Sequence, residues 1–316
     1  GSQTIDVAGK GRNGTSWSAD INREGRNFDY SGSFTSISPD FRTELGYIRR
    51  VDMRELQQDV DYTWHPEKSR VLSFSTKVEG NALWDFGGAL QNWSIEPGVE
   101  MSFAGQTQVE IQHAEEFERY EGREFRRHGT QARISTEWLS WLSGNLEYSQ
   151  GSGINYYPAA GIAPFLASEQ SAEASVTFKP LSKLRVDQSY IHSKLSTRNG
   201  VPLPQGTPTG EIFSDNILRT RVNYQFTREL SARVIFDYES VKPNPALVDL
   251  EHERQFNADV LLTYLVNPWT AIYLGYTDGY ENRPLGAAMT RPSPAQAPLA
   301  SVGRQVFAKV SYLLKY

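Results

Sequence analysis

The sequence has no cysteine, which excludes disulfide frameworks, zinc sites built on thiolates and cysteine nucleophiles. No run of about eighteen consecutive apolar residues occurs, so no transmembrane helix is predicted. Basic residues are not in excess: 32 Lys and Arg against 37 Asp and Glu give a net charge of -5. This balance argues against a nucleic-acid partner, because such partners require a basic surface.

Aromatic residues, by contrast, are abundant, with 16 Tyr, 15 Phe and 7 Trp in 316 residues. Soluble β-proteins favour aromatics, and membrane β-barrels concentrate them at the two lipid headgroup levels. The mean hydropathy of -0.51 does not decide between these classes. Only alternate residues of a barrel strand face lipid, which dilutes any average over the chain.

Apolar and polar residues alternate along most of the chain. Between Asn216 and Phe226, one set of alternate residues is mostly apolar: Leu218, Thr220, Val222, Tyr224 and Phe226. The residues between them are all polar: Arg219, Arg221, Asn223 and Gln225. A period of two predicts β-strands, since a helix would distribute the same residues around its surface.

This pattern predicts an all-β fold: a single transmembrane antiparallel up-and-down β-barrel of about sixteen strands over residues 1–316, with Gly1-Ser2 expected to be an expression scar. The predicted strands are 3–9, 15–23, 27–36, 53–64, 71–80, 89–103, 107–118, 129–138, 142–150, 168–179, 182–196, 213–226, 230–240, 252–265, 270–278 and 303–316.

The predicted connections alternate between short and long. Short ones include 65–70, 104–106, 180–181, 227–229 and 266–268; long ones are 37–52, 151–167, 197–212 and 279–302. Outer-membrane barrels have short periplasmic turns and long extracellular loops, so the alternation favours that class. The Pro-rich stretches 201–208 and 279–302 are expected to be mobile and to build no core.

The last strand alternates up to the final residue. Val310, Tyr312, Leu314 and Tyr316 share one face, and the chain ends on an aromatic side chain. This pattern is typical of the C-terminal signal that directs outer-membrane proteins to the machinery that inserts them. It predicts the bacterial outer membrane as the location.

Residues 38–54 resemble a known family through Asp40-Phe41, Gly46-Tyr47, Arg49-Arg50 and Asp52. The stretches 223–227 and 266–268 are similar as well. These are large bacterial envelope proteins in which a domain similar to family-9 carbohydrate-binding modules precedes an outer-membrane barrel of unknown function. The resemblance spans about residues 10 to 316.

Two parts of that family are not found in this sequence: the carbohydrate-binding-like module and the early barrel segment. The resemblance therefore implies a smaller closed barrel, a barrel completed by strands of a second chain, or a trimmed pore. Some relatives carry hydrolase labels, and the resemblance leaves the activity open.

No catalytic or metal-binding motif emerges from the residues, and no cofactor is predicted. The five histidines, at positions 65, 113, 128, 192 and 252, show no ligand spacing. No Gly-x-Ser-x-Gly motif occurs, so an outer-membrane hydrolase is the least favoured class. Glu115, Glu116, Glu118 and Glu121, followed by three arginines, predict a self-neutralising extracellular rim; a contact with cations or lipopolysaccharide is the alternative.

Charges within strands are expected to face a polar interior, because a charge facing lipid costs about 2–4 kcal/mol at the midplane. Acids dominate the earlier strands, and Arg219, Arg221, Arg233 and Lys309 lie on later ones, so acidic and basic arcs are predicted on different parts of the wall. The predicted pore-lining residues are Asp59, Asp61, Glu79, Glu96, Glu100, Arg133, Glu137, Arg219, Arg221, Arg233, Asp237 and Lys309.

The leading functional hypothesis is a passive pore, porin-like, that conducts polar solutes or ions through a charged lumen. The alternative is a non-conducting barrel that anchors a carbohydrate-binding or secreted module. Expected partners are the lipid bilayer, lipopolysaccharide or detergent, and the barrel assembly machinery. A second chain supplying strands is a further expectation.

Overall fold

The computed structural model describes residues 13–43, 48–67, 69–282 and 298–313. They form fifteen antiparallel β-strands whose order in the sheet follows their order in the chain. The strands are β1 (Ser16–Arg23), β2 (Phe28–Ile37), β3 (Met53–Trp64), β4 (Val71–Trp84), β5 (Leu90–Phe103), β6 (Thr107–Tyr120), β7 (Arg123–Leu139), β8 (Leu142–Asn155), β9 (Phe165–Leu181), β10 (Leu184–Thr197), β11 (Glu211–Gln225), β12 (Leu230–Pro243), β13 (Glu253–Asn267), β14 (Thr270–Glu281) and β15 (Ala300–Tyr312).

Fifteen of the sixteen predicted strands are present, so the antiparallel all-β prediction is confirmed for the described residues. The remaining one, at residues 3–9, lies outside them. No helix in the described part of the chain has the length and apolar character needed to span a membrane.

The two ends of the strands differ in their connections. Seven connections of two to six residues join the strands at one end, called here the short-turn end: 24–27, 65–70, 104–106, 140–141, 182–183, 226–229 and 268–269. The other end, called the long-loop end, has the connections 38–52, 85–89, 121–122, 156–164, 198–210, 244–252 and 282–299. The predicted alternation of short and long connections is therefore present, with two short exceptions at the long-loop end.

Several strands extend further toward the long-loop end than predicted. The clearest case is the β6–β7 hairpin, where residues 119–128 were expected to be a loop. Only Glu121 and Gly122 form the turn, both with positive φ (49° and 72°), as a tight two-residue hairpin requires. The sequence misses these extensions because backbone hydrogen bonds continue beyond the point where apolar residues stop alternating.

The strands form two compact units, each described here by itself. Unit 1 comprises Gly1–Met101 and Glu110–Thr130, and unit 2 comprises Ser102–Val109 and Gln131–Tyr316. In unit 1, Leu56, Tyr62 and Trp64 of β3 are exposed on one side of the sheet. Asp59 and Asp61 occupy the alternate positions, so β3 has an apolar face and a polar face.

In unit 2 the register places like residues side by side. Leu218 of β11 lies opposite Tyr238 of β12, and Val222 lies opposite Val234. Arg219, one residue away, lies opposite Asp237. A shift of one residue would exchange the two faces, so this register is fixed by the environments that the faces meet.

Aromatic side chains mark both ends of the apolar face in unit 2. Near the short turns, the ring centroids of Trp141 and Phe178 are 5.8 Å apart. Toward the long loops, Phe256 packs between Phe236 and Tyr280 at 6.3 and 6.2 Å. On β13, Phe256 and Tyr264 bracket apolar residues and lie about 27 Å apart along the strand at about 3.4 Å per residue. At a strand tilt of about 40°, this length spans a height of about 21 Å, close to but less than the apolar band of about 25 Å of membrane barrels.

An ion pair lies on this face at the level of Phe256 and Tyr280. Asp278 of β14 accepts a hydrogen bond from Arg304 Nε at 2.9 Å, and the hydroxyls of Tyr276 and Tyr280 donate to the same oxygen at 2.9 and 3.1 Å. The carboxylate is buried by these partners, whereas Arg304 is exposed. The apolar face thus becomes polar toward the long-loop end.

The pairing of β14 with β15 depends on a glycine. Gly275 lies opposite Phe307, and a Cβ at position 275 would lie 2.1 Å from the Phe307 ring. The ring therefore packs against the bare backbone of its neighbouring strand.

Gly275→Ala is expected to lower the free energy of unfolding by about 1–3 kcal/mol, because the methyl group displaces the ring. Urea unfolding of the protein folded in detergent or lipid measures this change. In a protein that already carries Phe307→Ala, Gly275→Ala should cost less stability than it does in the unchanged protein, because the ring it would displace is absent. Additive losses in the double variant would contradict this packing.

Candidate functional site

The polar face of unit 1 is predominantly acidic. Asp59 lies opposite Glu79, and Asp61 lies opposite both Asp29 and Lys77. Lys77 forms an ion pair with Glu79 on its own strand. One ammonium therefore serves four neighbouring carboxylates, which gives this surface a negative field. The predicted residues Asp59, Asp61 and Glu79 are brought together here.

Glu96 and Glu100 of β5 share a strand face, being four residues apart. Gln112 Nε2 donates to Glu96 Oε2 at 3.2 Å, which places Gln112 beside that carboxylate. Both predicted residues therefore occupy the acidic side of unit 1.

The predicted acidic rim is part of two strands rather than a loop. Arg127 Nη2 lies 2.8 Å from Glu116 and 3.4 Å from Glu118, and Arg119 Nη2 lies 2.7 Å from Glu124. The expectation of self-neutralisation agrees with these ion pairs. The expectation of a loop was wrong, because the pairs connect adjacent hydrogen-bonded strands.

In unit 2, the middle of the polar face carries ion pairs. Arg133 donates through Nε and Nη2 to one oxygen of Glu147 at 2.9 and 2.7 Å, and Arg219 Nε lies 3.1 Å from Asp237. Glu137 lies four residues from Arg133 on the same strand face. These solvated pairs contribute at most about 1 kcal/mol each to stability, so their importance lies in the field they create.

Lys309, the last of the predicted pore-lining residues, contacts an aromatic ring. Its Nζ lies 5.9 Å from the centroid of Tyr273, which is opposite it on β14. The charge therefore lies on the polar face, and the ring restrains its position.

The acidic and basic residues of unit 2 separate along the strands. Acids on the polar face concentrate toward the long loops: Glu169, Asp215, Glu239, Glu253 and Glu281. Bases concentrate toward the short turns: Lys179, Arg185, Arg221, Arg233 and Lys309. The sequence suggested mainly acids on early strands and mainly bases on late ones, with Asp237 and Glu239 among those bases. The structure places both signs on the late strands, at opposite ends.

Three long connections of unit 2 fold onto the polar face. This loop roof, defined as residues 156–164, 198–210 and 244–252, packs apolar side chains onto the ends of β9, β10 and β11. Its centre contains Leu247 and Ala167, both fully buried, with Leu195 and Ile212 beside them. The expectation that residues 201–208 build no core was wrong, since Val201 packs against this cluster.

Backbone hydrogen bonds join the loops of the roof. Ala159 N donates to Leu247 O at 3.1 Å, and Asp249 N donates to Tyr157 O at 2.9 Å. The buried side chain of Asn155 donates to the same Leu247 oxygen at 2.9 Å. A connection between β12 and β13 is thus fixed to one between β8 and β9. Part of the polar face is therefore covered at the long-loop end.

The end of the roof contains a histidine. Asn282 Nδ2 lies 3.3 Å from His252 Nδ1 and donates to His252 O at 3.0 Å. Partial burial, together with the nearby charge of Arg254, lowers the pKa of His252. The neutral imidazole is therefore favoured in the folded protein.

His113 of β6 and His192 of β10 form hydrogen bonds with other side chains, and no serine hydroxyl is among their described partners. His113 lies 2.8 Å from Thr130 Oγ1 and 3.3 Å from Glu115, and His192 lies 2.9 Å from Asn216 Oδ1. No three potential metal ligands converge anywhere in the described residues.

Residues that carry the family resemblance hold connections in unit 1. Phe41 N donates to Ser38 O at 3.1 Å, and the carboxylate of Asp52 accepts a hydrogen bond from Phe86 N at 2.9 Å. Arg54 lies over the Phe86 ring at 4.4 Å. Their described contacts are therefore structural. Gly46 and Tyr47 lie outside the described residues.

The predicted C-terminal signal is described in part. Val310 and Tyr312 of β15 are exposed on the apolar face, in the register of Ile272 and Thr270. Leu314 and Tyr316 lie outside the described residues.

Comparison with known proteins gives structural similarities only. No protein-family model and no curated protein sequence matches the chain. The outer membrane channel DcaP of Acinetobacter baumannii is similar at a TM-score of 0.44 and 9% identity, over 95% of this chain and 85% of that one. OmpT, an outer membrane protein of Vibrio cholerae, gives 0.33 and 9%, over 95% and 99%. The FrpB iron transporter of Neisseria meningitidis gives 0.42 and 11%, over 96% and 58%.

The loop roof yields a direct test. Leu247→Ala removes a fully buried side chain from its centre, which should cost about 2–5 kcal/mol of local packing. Amide hydrogen exchange at residues 159–163 and 246–249 is expected to accelerate, because the two loops are hydrogen-bonded to each other.

Leu250→Ala is the matched control, since Leu250 is exposed in the same connection. Its exchange pattern should resemble that of the unchanged protein. Equal exchange rates in the Leu247 variant and the unchanged protein would show that the roof does not depend on this cluster.

Proposed function

We propose that the chain spans the bacterial outer membrane as a β-barrel, with its apolar face toward lipid and its polar face toward water. The observation that supports this proposal is that the sheet has an apolar and a polar face. The apolar face is exposed, and aromatic rings lie at both of its ends. A soluble protein would bury such a face in a core. A meander of antiparallel neighbours is also the strand order that closes into an up-and-down barrel.

The proposed activity is passive conduction of polar solutes or ions along the polar face. The guanidinium groups of Arg133 and Arg219 are exposed and their partner carboxylates are half-buried, as is expected of ion pairs on a wet surface. Barrels of about sixteen strands enclose an aqueous channel. Charges that line such a channel set the preference for anions or cations. We propose no catalytic role.

A second candidate is a barrel that anchors another module without conducting. The loop roof favours it, because an ordered apolar cluster covers part of the polar face. In this case the lumen would be closed, and a carbohydrate-binding or secreted partner would be attached. The family resemblance in residues 38–54 points to the same architecture.

Assembly partners follow from the proposed membrane location. The barrel assembly machinery would recognise the strand that contains Val310 and Tyr312. Lipopolysaccharide or detergent would cover the apolar face, and Arg304 lies at the level where phosphate groups would be met. A second chain could supply further strands at an edge of the sheet.

Reconstitution into planar bilayers is expected to give stepwise single-channel currents. The same preparation should migrate differently before and after heating in detergent gels, since membrane barrels resist unfolding at room temperature. A folded, heat-modifiable protein that carries no current would reject the pore and favour the anchor.

Neutralising Arg219 or Arg221 should shift selectivity toward cations, with a change of about twofold or more in the permeability ratio. Arg219→Gln also leaves Asp237 without its ion-pair partner, so its effect should exceed that of Arg221→Gln. Arg221 lies opposite Ile235 on β12 and Asp187 on β10, and Asp187 is already paired with Arg185. Reversal potentials in a KCl gradient measure both changes.

Asp237→Asn is expected to shift the reversal potential in the opposite direction.

Lys242→Gln, at an apolar-face position of β12, is the matched control for loss of one positive charge. A shift of equal size in the control would show that Arg219 and Arg221 do not line the conduction path.

A further inference from the structure

A cavity of about 580 Å³ lies at the short-turn end of unit 2, between the ends of β9 to β13. Four basic residues line it: Lys179, Lys183, Arg185 and Arg233. No carboxylate is among its lining residues within the described part of the chain. All charged residues of the cavity lining are therefore positive, whereas the middle of the same polar face carries ion pairs between acidic and basic residues.

The register explains how the basic groups come together. Arg185 of β10 lies opposite Asn223 of β11, and Asn223 lies opposite Arg233 of β12. An amide is thus flanked by two guanidinium groups across three hydrogen-bonded strands. Because opposite positions on neighbouring strands have Cβ atoms about 5 Å apart, all three side chains reach one small volume.

The hydrogen-bonding chemistry of the cavity is rich in donors. Arg185 is oriented by Asp187, whose two oxygens accept from its Nε at 2.9 and 3.0 Å. That contact uses one of the donors of the guanidinium and leaves the others available. Lys183 donates to Phe226 O at 3.4 Å. For Arg233, the described residues offer neither an ion pair nor a side-chain hydrogen bond.

We infer that this cavity binds a compact, doubly charged oxyanion, such as phosphate or a small dicarboxylate. Planar guanidinium groups recognise both through paired N–H donors, and the Asn223 amide can donate a further bond. Asp187 cancels one of the four positive charges, which leaves an excess sufficient for a dianion. Such an anion would be a solute of the proposed pore, so the biological role of this site rests on the proposed function.

Binding can be measured without any transport. Isothermal titration calorimetry on the detergent-solubilised full chain, with inorganic phosphate at constant ionic strength, should show saturable binding. Arg233→Gln is expected to weaken it about tenfold, since a charge-assisted hydrogen bond is lost. Lys242→Gln removes the same charge elsewhere on β12 and should leave the affinity within about twofold, since it lies on the other face.

Asn223→Asp is the second variant, because it keeps the side-chain shape and introduces a negative charge between Arg185 and Arg233. It should abolish phosphate binding while the protein stays heat-modifiable in detergent gels. A parallel titration with succinate distinguishes the two anions: succinate binding that is tighter than phosphate binding and is lost in the same variants identifies a dicarboxylate site.

Absence of saturable binding for both anions would overturn the inference, as would equal weakening in the Lys242 variant. The proposed pore fails separately, through the absence of single-channel current. A protein that binds phosphate and carries no current would therefore retain the site and lose the pore.

Discussion

The structure depends on one constraint: every strand must satisfy its backbone hydrogen bonds with its neighbours while its side chains meet two different environments. Because the side-chain period of a strand is two, the register of each pair decides which residues meet which environment. Leu218 with Tyr238 on one face, and Arg219 with Asp237 on the other, result from one pairing of β11 and β12. The polar face, its charges and the basic cavity all follow from such pairings.

Within unit 2, the two ends of the strands differ in the length of the connections that join them. At the long-loop end, three connections cover the polar face and bury Leu247 and Ala167. At the short-turn end, the turns are too brief to cover anything, so Arg185 and Arg233 remain accessible. A solute on this surface would meet carboxylates at one end and guanidinium groups at the other. The loop roof and the basic cavity are thus complementary results of the asymmetry in connection length.

The sequence predicts the strands well because alternation is a local property of the chain. All fifteen strands of the described residues were expected, and the alternate positions of Arg219 and Asp237 are as predicted. Their ends were less accurate, as in the β6–β7 hairpin, where hydrogen bonding continues through residues that no longer alternate. The loop roof could not be predicted, because the short apolar runs around Val201 and Leu247 lie in proline-containing connections and become a core only through contacts distant in sequence. The same reason conceals the basic cavity, whose members come from separate strands.

The central claim is that one face of the sheet meets lipid and the other meets water. The absence of cysteine allows a direct test: single cysteines introduced one at a time from Ile217 to Tyr224, each spin-labelled in liposomes. Accessibility to oxygen and to a water-soluble nickel complex is then measured at each position by electron paramagnetic resonance. The account predicts that the two accessibilities oscillate with a period of two and in opposite phase, with oxygen favoured at 218, 220, 222 and 224. Uniform access of the nickel complex to all eight positions would contradict it.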